Sequence, residues 1–303
     1  MNENPYADEV LIQNWPGFIN QQATVNGVSL HYVTGGAGEP IICLPGWPQN
    51  WYSFKNIALA LAEKYKVIVV DIRGMGSSEK PASGYDKKTM AEDIYQLIKH
   101  LGLEQVSLIG HDIGGMVAMS FAFNYPSATT KLIIADGMHP SEGMMQMPLL
   151  PARGTFNEKM DANYPYAWWM SFNQVPGLPE KLLAGRFQYL LEWLFAYVMI
   201  DEHKMSDLER QLYASLYNDP EQIRAANGWY QTFTQDMEDA KSYTPLTMPV
   251  LGIGSNVSYN YMNMALPMVA SDCEVIGIMD SGHYLFEEQP EEVIEAILAF
   301  TIK

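Results

Sequence analysis

The feature that most constrains this chain is a regular alternation of short apolar runs with segments of helical periodicity. Runs rich in β-branched residues at Glu39–Leu44, Lys66–Asp71 and Val106–Gly110 are separated by helical patterns over Trp51–Glu63 and Thr89–Leu101. Strands that are apolar on both faces are typical of parallel sheets covered by helices. The alternation therefore predicts an α/β fold with a mostly parallel sheet and helices on both faces.

The alternation is interrupted in the middle of the chain. Strand character is clear at Lys131–Ala135 and does not return until Val250–Gly254. The intervening residues have helical periodicity and many aromatic side chains. We therefore predict a core formed by residues 1–137 and 244–303, with residues 138–243 inserted as a helical cap, or lid.

Composition and charge narrow the choice of partners. The 303 residues are 48% hydrophobic, and 18 Lys+Arg against 35 Asp+Glu give a formal charge of −17. This balance gives no reason to expect nucleic acid or an anionic membrane as a partner, and it suits a small neutral substrate. A homodimer is left open.

The N-terminus and the two cysteines indicate the cellular compartment. Residues Met1–Pro5 lack a basic region followed by an apolar stretch, and no run is long enough to cross a bilayer. Cys43 and Cys273 both fall in predicted buried strands and are expected to be core thiols, and no cluster has metal-ligand spacing. A cytoplasmic protein is expected, although a leader removed beforehand would leave no trace in this sequence.

The segment Gly110–Gly114, with the sequence GHDIG, follows one predicted strand and precedes a helical pattern. A tight glycine-flanked turn between a strand and a helix is the context of the nucleophile elbow, G-x-S-x-G, but here Asp112 takes the place of serine. A carboxylate held at such a turn can attack a saturated carbon or a strained ring and form an ester. The alternatives are a chance match and a turn that binds phosphate or nucleotide.

Two more reactive side chains follow predicted strands. Asp136 comes directly after Lys131–Ala135, and His283 follows the strand Cys273–Met279. Because ligands bind beyond the carboxyl ends of the strands in such sheets, we expect Asp112, Asp136 and His283 to share one edge. Three such residues in this order are much less probable by chance than the turn alone.

With these residues in place, the chain resembles the α/β-hydrolase family over nearly its whole length. Within that family an aspartate at the elbow marks epoxide hydrolases and the haloalkane and haloacetate dehalogenases. Four segments carry the resemblance. Leu44–Tyr52 is similar to the oxyanion loop H-G-x-P followed by W-Y, and Asp71–Ser78 is similar to a D-x-R-G-x-G-x-S loop. Ser281–His283 matches the turn of the catalytic histidine, and Asn227–Tyr230 resembles a lid motif with a ring-opening tyrosine.

The resemblance implies a role for each reactive residue. Asp112 would be the nucleophile, His283 the base that activates water, and Tyr230 the proton donor to the epoxide oxygen. The loop Ser255–Asn260, where many relatives carry the third acid, has no carboxylate. Asp136 lies where Cif-like epoxide hydrolases and one dehalogenase group place that acid, so it is expected to orient His283. The simpler alternative for Asp136 is a helix cap.

Further residues are predicted to contact the substrate or the intermediate. The backbone N–H groups of Trp47 and Ile113 would form the oxyanion hole. Trp169 aligns, within one residue, with the lid position where relatives carry a second tyrosine or a histidine, and indole can donate a hydrogen bond only. Trp168 and His139 are expected near the substrate, although packing in the core is the simpler role for each.

The departures from the family patterns favour an epoxide over a halide. Pro45 stands where the oxyanion loop usually has histidine, and Ile113 stands where haloalkane dehalogenases have a halide-binding tryptophan. The helix after Asp112 also lacks the arginines with which fluoroacetate dehalogenases hold a carboxylate. We predict an epoxide hydrolase acting on a small, largely apolar epoxide and water, without metal or organic cofactor. The alternatives are a dehalogenase with the same nucleophile and a non-catalytic ligand-binding protein of this fold.

Overall fold

The computed structural model of the chain describes residues 4–302 and contains one eight-stranded sheet. The strands in chain order are β1 (Ile19–Val25), β2 (Val28–Gly35), β3 (Pro40–Leu44), β4 (Lys66–Val70), β5 (Val106–His111), β6 (Thr129–Ala135), β7 (Val250–Ser255) and β8 (Cys273–Ile278). Their order across the sheet is β1-β2-β4-β3-β5-β6-β7-β8. Strand β2 pairs antiparallel with β1 and β4, and every other pairing is parallel. The predicted α/β fold with a mostly parallel sheet is confirmed.

The described residues also form α-helices along the whole chain. In chain order these are α1 (Asp8–Leu11), α2 (Lys55–Leu61), α3 (Lys87–His100), α4 (Ile113–Asn124), α5 (Trp169–Phe172), α6 (Leu178–Leu183), α7 (Phe187–Val198), α8 (Asp207–Tyr217), α9 (Pro220–Gln231), α10 (Phe233–Ala240), α11 (Tyr259–Val269), α12 (Leu285–Glu288) and α13 (Pro290–Thr301). Helices α5 to α10 all lie between β6 and β7, the interval in which the sequence predicts the cap.

Burial along the strands follows their position in the sheet. The central strands β5 and β7 are apolar and almost completely buried, as expected for parallel strands with neighbours on both sides. The prediction that both cysteines lie in buried strands is correct for Cys43 in β3 and wrong for Cys273 in β8. Strand β8 pairs only with β7, so it forms the edge of the sheet, and only Ile278 along it is buried.

The end of α9 is fixed to the core by a buried ion pair. The ammonium of Lys87 in α3 lies 2.9 Å from a carboxylate oxygen of Asp236 in α10 and donates to the carbonyl of Trp229 at 2.6 Å. Neither charged side chain is exposed to solvent. The indole of Trp229 also donates to the carbonyl of Arg73 in the core at 3.0 Å. These bonds fix the position of the residue that follows Trp229, which is Tyr230.

Two buried glutamates lie between the core and α8, and the ammonium of Lys55 pairs with one of them. Glu209 in α8 lies 2.7 Å from the ammonium of Lys55, whereas Glu287 in α12 accepts a hydrogen bond from Gln49 at 2.7 Å. The second carboxyl oxygen of Glu287 has no hydrogen-bond partner within residues 4–302. Burial, and then the negative charge of Glu209, raise the pKa of Glu287 well above its usual range. Both effects favour the neutral, protonated form of Glu287 over its carboxylate.

We expect Glu287→Gln to stabilise the protein increasingly as the pH rises. Because the folded-state pKa of Glu287 is raised, the wild type must bind a proton on folding above the unfolded pKa of about 4.3. Its stability should fall with pH by up to about 1.4 kcal/mol per pH unit until the folded pKa is passed. Urea denaturation from pH 4 to pH 9 measures this difference. The exposed Glu292→Gln is the control, and parallel curves for wild type and Glu287→Gln would contradict the expectation.

Candidate active site

The three reactive residues predicted to share a sheet edge are brought together. Asp112 follows β5, Asp136 follows β6, and His283 lies in the loop after β8. The Nδ1 atom of His283 is 3.3 Å from Oδ2 of Asp136, and its Nε2 atom is 3.5 Å from Oδ2 of Asp112. The imidazole therefore lies between two carboxylates, in the order acid, base and nucleophile that a catalytic triad requires.

The turn that carries Asp112 is tight and strained. Asp112 has φ 51° and ψ −121°, a conformation that side chains other than glycine seldom adopt. A Cβ atom on Gly114 would overlap the main chain of Leu44, and one on Gly137 would overlap the main chain of Asp112 itself. The glycines allow this close approach of the backbones, which holds the Asp112 side chain at the end of β5.

Backbone donors surround the Asp112 carboxylate. The N–H of Trp47 donates to Oδ1 at 2.9 Å, which leaves Oδ2 to face His283. Ile113 is the first residue of α4, so its N–H has no acceptor within the helix. The N-terminus of α4 also favours negative charge at this position. The role of Trp47 and Ile113 as an oxyanion hole stays a prediction.

Asp136 is held by two serines that the sequence analysis did not identify. Its carboxylate accepts hydrogen bonds from the backbone N–H of Ser255 at 2.8 Å, from the Ser255 hydroxyl at 2.6 Å and from the Ser258 hydroxyl. Ser255 is the last residue of β7, the strand next to β6, and Ser258 lies in the loop that follows it. The sequence could have indicated these serines, because polar residues at the ends of neighbouring parallel strands meet at one sheet edge.

The charges of the two aspartates and the histidine stabilise one another. Burial alone would lower the pKa of His283, but the hydrogen bonds and charges of Asp112 and Asp136 outweigh it and raise the pKa to about 10. Burial alone would raise the pKa of Asp112, but His283 and the N–H of Trp47 outweigh it and lower that pKa. The resting site therefore holds an imidazolium between two carboxylates.

His111 supports the histidine loop from behind. Its Nε2 atom is 2.9 Å from the backbone carbonyl of His283, and its Nδ1 atom has no partner within the described part of the chain. Burial, and then the positive charge of His283, lower the pKa of His111 to about 4. The neutral ring must donate from Nε2, because a carbonyl oxygen only accepts. The sequence does not reveal the contact of His111 with the loop of His283.

A cavity of about 500 Å³ opens in front of these residues. Asp112, Asp136, His283, Trp47 and Trp169 line it, and no lysine or arginine is among its lining residues within 4–302. Eight of the lining residues are methionines, at positions Met116, Met138, Met144, Met147, Met160, Met170, Met262 and Met264. An apolar cavity with a few converging polar groups is typical of a small-molecule site.

The other predicted contact residues differ in their placement. Tyr230 is buried and is not among the lining residues of the cavity, and its ring packs edge-on against Trp47, which does line it, with 5.7 Å between ring centroids. Trp168 does not line this cavity and instead lines a second one beside it. His139 lines neither cavity, because its ring packs edge-on against Tyr243 and its Nδ1 atom lies near its neighbour's carbonyl. The contact of His139 with substrate stays a prediction.

Residues 4–302 contain no group of three or more His, Cys, Asp or Glu side chains suited to a metal ion. No helix in that range combines the length and the apolar character needed to cross a bilayer.

Replacing Asp136 by Asn should slow hydrolysis of an ester on Asp112 far more than formation of that ester. The amide keeps the size of the carboxylate but removes the charge that stabilises the imidazolium, and triads lose as much as about 10⁴-fold from this change. Rapid-quench kinetics measures the two steps separately. A pH profile should also show a lower apparent pKa for His283, and unchanged rates for both steps would assign the role of the acid to another residue.

Comparisons with known proteins identify a family and several relatives for this chain. A family described as having the α/β-hydrolase fold matches residues 39–195. A soluble epoxide hydrolase of a Corynebacterium species is 35% identical over 288 residues, covering 93% of this chain and 96% of that protein. A fluoroacetate dehalogenase of a Burkholderia species is 31% identical over 176 residues, covering 56% of this chain and 54% of that protein.

Solved structures show the same similarity. The epoxide hydrolase CorEH without ligand matches with a TM-score of 0.84 at 32% identity, covering 94% of this chain and 99% of that one. Cfl2 from Burkholderia cenocepacia matches with a TM-score of 0.84 at 28% identity, covering 94% of this chain and 96% of that one. The similarity therefore extends over the sheet and the helices between β6 and β7.

Proposed function

The chain belongs to the α/β-hydrolase family and is a hydrolase, and on that premise we propose that it is an epoxide hydrolase forming vicinal diols. The observation that carries the proposal is the carboxylate of Asp112 at the strand-to-helix turn, with His283 3.5 Å away. We assign residues 138–243 as a cap that brings Tyr230 and Trp169 over the core. The soluble epoxide hydrolase that is 35% identical supports the choice of substrate.

The first step is attack of Asp112 on an epoxide carbon. Because Oδ1 is bound by the N–H of Trp47, Oδ2 is the attacking oxygen. A new C–O bond forms to Oδ2 while the C–O bond of the ring breaks, and the leaving oxygen takes a proton from Tyr230. Tyr230 then regains a proton, for which the imidazolium of His283 is the source within the site.

The second step is hydrolysis of the ester. Ester formation removes the charge of Asp112, one of the two charges that keep the pKa of His283 high, so the imidazole becomes free to act as a base. It takes a proton from water as the water oxygen attacks the ester carbonyl, and Asp136 stabilises the imidazolium that forms. The N–H groups of Trp47 and Ile113 would stabilise the negative charge on the tetrahedral intermediate. Collapse releases the diol and restores the resting ion pair.

A substrate panel tests the proposed function. Purified protein is incubated with aliphatic and aromatic epoxides, with diols measured by mass spectrometry, and with haloalkanes and haloacetates, with halide release measured. Diol formation is expected, and haloacetates should react poorly because no cationic side chain lines the cavity to hold their carboxylate. Halide release without diols would favour a dehalogenase, and neither product would favour a ligand-binding protein.

A further inference from the structure

Glu288, the last residue of α12, is a buried carboxylate with no part in the proposed mechanism. It is 2% exposed, and no ion pair within residues 4–302 includes it. Burial raises its pKa, and hydrogen bonds from the backbone N–H groups of Asp201 and Gly282 oppose that rise. Because a buried charge without a cation depends on hydrogen bonds for its stability, the partners of Glu288 indicate its role.

The two oxygens of Glu288 bind two segments of the chain that are distant in sequence. Oε2 accepts a hydrogen bond at 2.8 Å from the N–H of Gly282, the residue before His283. Oε1 accepts one at 2.9 Å from the N–H of Asp201, in the segment that follows α7. A glutamine would offer one acceptor oxygen and an NH₂ group that only donates. Glu288 therefore joins the histidine loop, Ser281–His283, to the segment after α7 in a way that needs both carboxylate oxygens.

The histidine loop also contacts the end of α7 directly. The backbone N–H of His283 donates to the carbonyl of Val198 at 3.1 Å. Val198 is the last residue of α7, where helix carbonyls have no partner within the helix. A Cβ atom on Gly282 would overlap the same carbonyl oxygen, so the glycine allows the loop to lie this close. The loop is thus held at α7 by its own N–H and by Glu288.

The end of α7 forms part of the cavity as well. Leu194 and Val198 line the cavity in front of Asp112. The same helix end therefore contacts both the ligand space and the loop that carries His283. The imidazole lies 3.5 Å from Asp112 and 3.3 Å from Asp136, so a shift of the loop relative to the sheet would change both distances.

We propose that Glu288 is a positioning residue for His283, whose carboxylate fixes the histidine loop to the end of α7 and so fixes the imidazole between Asp112 and Asp136. This proposal rests on the proposed epoxide hydrolase function, in which His283 activates water for hydrolysis of the ester and takes no part in the attack on the ring. Weakening the support from Glu288 should therefore slow hydrolysis selectively.

Burst kinetics with an epoxide measures ring opening and hydrolysis separately in two variants. Glu288→Gln keeps the size of the side chain but leaves one of the two N–H groups without an acceptor, and Glu288→Asp keeps the charge on a side chain one methylene shorter. Both should slow hydrolysis of the ester by about 10²-fold, the loss typical of a displacement of about 1 Å, and keep the wild-type rate of ring opening.

The matched control is Glu287→Gln, because Glu287 is a buried carboxylate of the same helix that binds Gln49 instead of the histidine loop. It should keep both rates. A structural role alone would lower the folded fraction, which urea denaturation measures, and would reduce both rates equally. An equal loss in the two steps, wild-type hydrolysis in both Glu288 variants, or the same slow hydrolysis in the control would overturn the proposal.

The titration of His283 makes the proposal testable apart from turnover. Asp112 and Asp136 face its two ring nitrogens and raise its pKa to about 10. The rings of His111 and Tyr284 pack against it, at 4.8 Å and 5.2 Å between ring centroids. Because the two carboxylates keep the imidazolium charged, moving the ring away from them lowers its pKa.

Nitrogen-15 NMR of the imidazole should therefore show a lower pKa for His283 in both Glu288 variants and the wild-type pKa in Glu287→Gln. An unchanged pKa in both Glu288 variants would overturn the proposal, whatever the kinetics. If the wild type hydrolyses no epoxide, the proposed function fails, and this titration still decides whether Glu288 positions the imidazole.

Discussion

Replacement of His283 by Gln is expected to stop turnover while ring opening continues, so that the protein accumulates an ester on Asp112. Ring opening needs only the nucleophile and a proton donor, whereas hydrolysis needs a base, whose loss costs at least about 10²-fold. Intact-mass spectrometry of the variant after incubation with an epoxide should show an adduct equal to the mass of the substrate. Peptide mapping should place it on the peptide that contains Asp112.

Two nucleophile variants complete this experiment. Asp112→Ala should form no adduct and no diol, because the other carboxylate that lines the cavity within residues 4–302, Asp136, is bound by Ser255 and lies on the Nδ1 side of His283. Asp112→Asn is a weaker control, since the amide can deamidate back to the acid. Diol formation that survives Asp112→Ala would exclude the covalent mechanism, and an adduct on another peptide would identify a different nucleophile.

Tyr230→Phe should reduce epoxide opening by at least about 10²-fold, the usual contribution of a general acid. The epoxide oxygen leaves as a strongly basic alkoxide and needs a proton in the transition state. Burial, and then the charge of Asp112, raise the pKa of Tyr230 well above its usual range, so the phenol stays protonated until the alkoxide forms. Single-turnover kinetics, with circular dichroism as a check on folding, measures the loss.

The matched variant is Trp169→Phe, which removes a hydrogen-bond donor from the cavity but no transferable proton. Its effect on epoxide opening should be smaller than that of Tyr230→Phe, and Trp169→Tyr or Trp169→His should raise turnover where the new ring reaches the oxygen. A halide leaves as a weak base and needs hydrogen bonds only. The opposite ranking of the two variants, with ready release of chloride or bromide, would therefore favour the dehalogenase.

The strands were predictable because burial on both faces leaves a continuous apolar run, as in β5 and β7. The partial exposure of Cys273 was not predictable, because β8 is also largely apolar and its place at the sheet edge depends on which strands pair. Helix α2 was placed too early, since the sequence predicts a helix from Trp51 and the structure begins with a 3₁₀ turn at Trp51–Phe54. The local sequence pattern thus predicts whether a segment is a strand or a helix better than it predicts what surrounds that segment.

The same distinction applies to the site. Asp112, Asp136 and His283 could be placed together from sequence because each follows a strand and parallel strands end at one edge. The hydrogen bond from His111 to the loop of His283 could not be predicted, because it joins residues 172 positions apart through the packing of a loop. The placement of Trp168 in a second cavity likewise depends on how the helices between β6 and β7 pack.

The buried pair of Lys87 and Asp236 has a consequence for dissecting the molecule. Deleting the segment between β6 and β7 would remove Asp236 together with residues that cover Lys87, such as Trp229, whereas replacing Asp236 alone would leave the ammonium buried without its carboxylate, a loss that typically costs about 3–5 kcal/mol. That cost is a large part of the total stability of an ordinary domain. A substitution at Asp236 is therefore a more direct probe of this contact than excision of the core, and amide protons in α9 should exchange with solvent as slowly as those of the sheet.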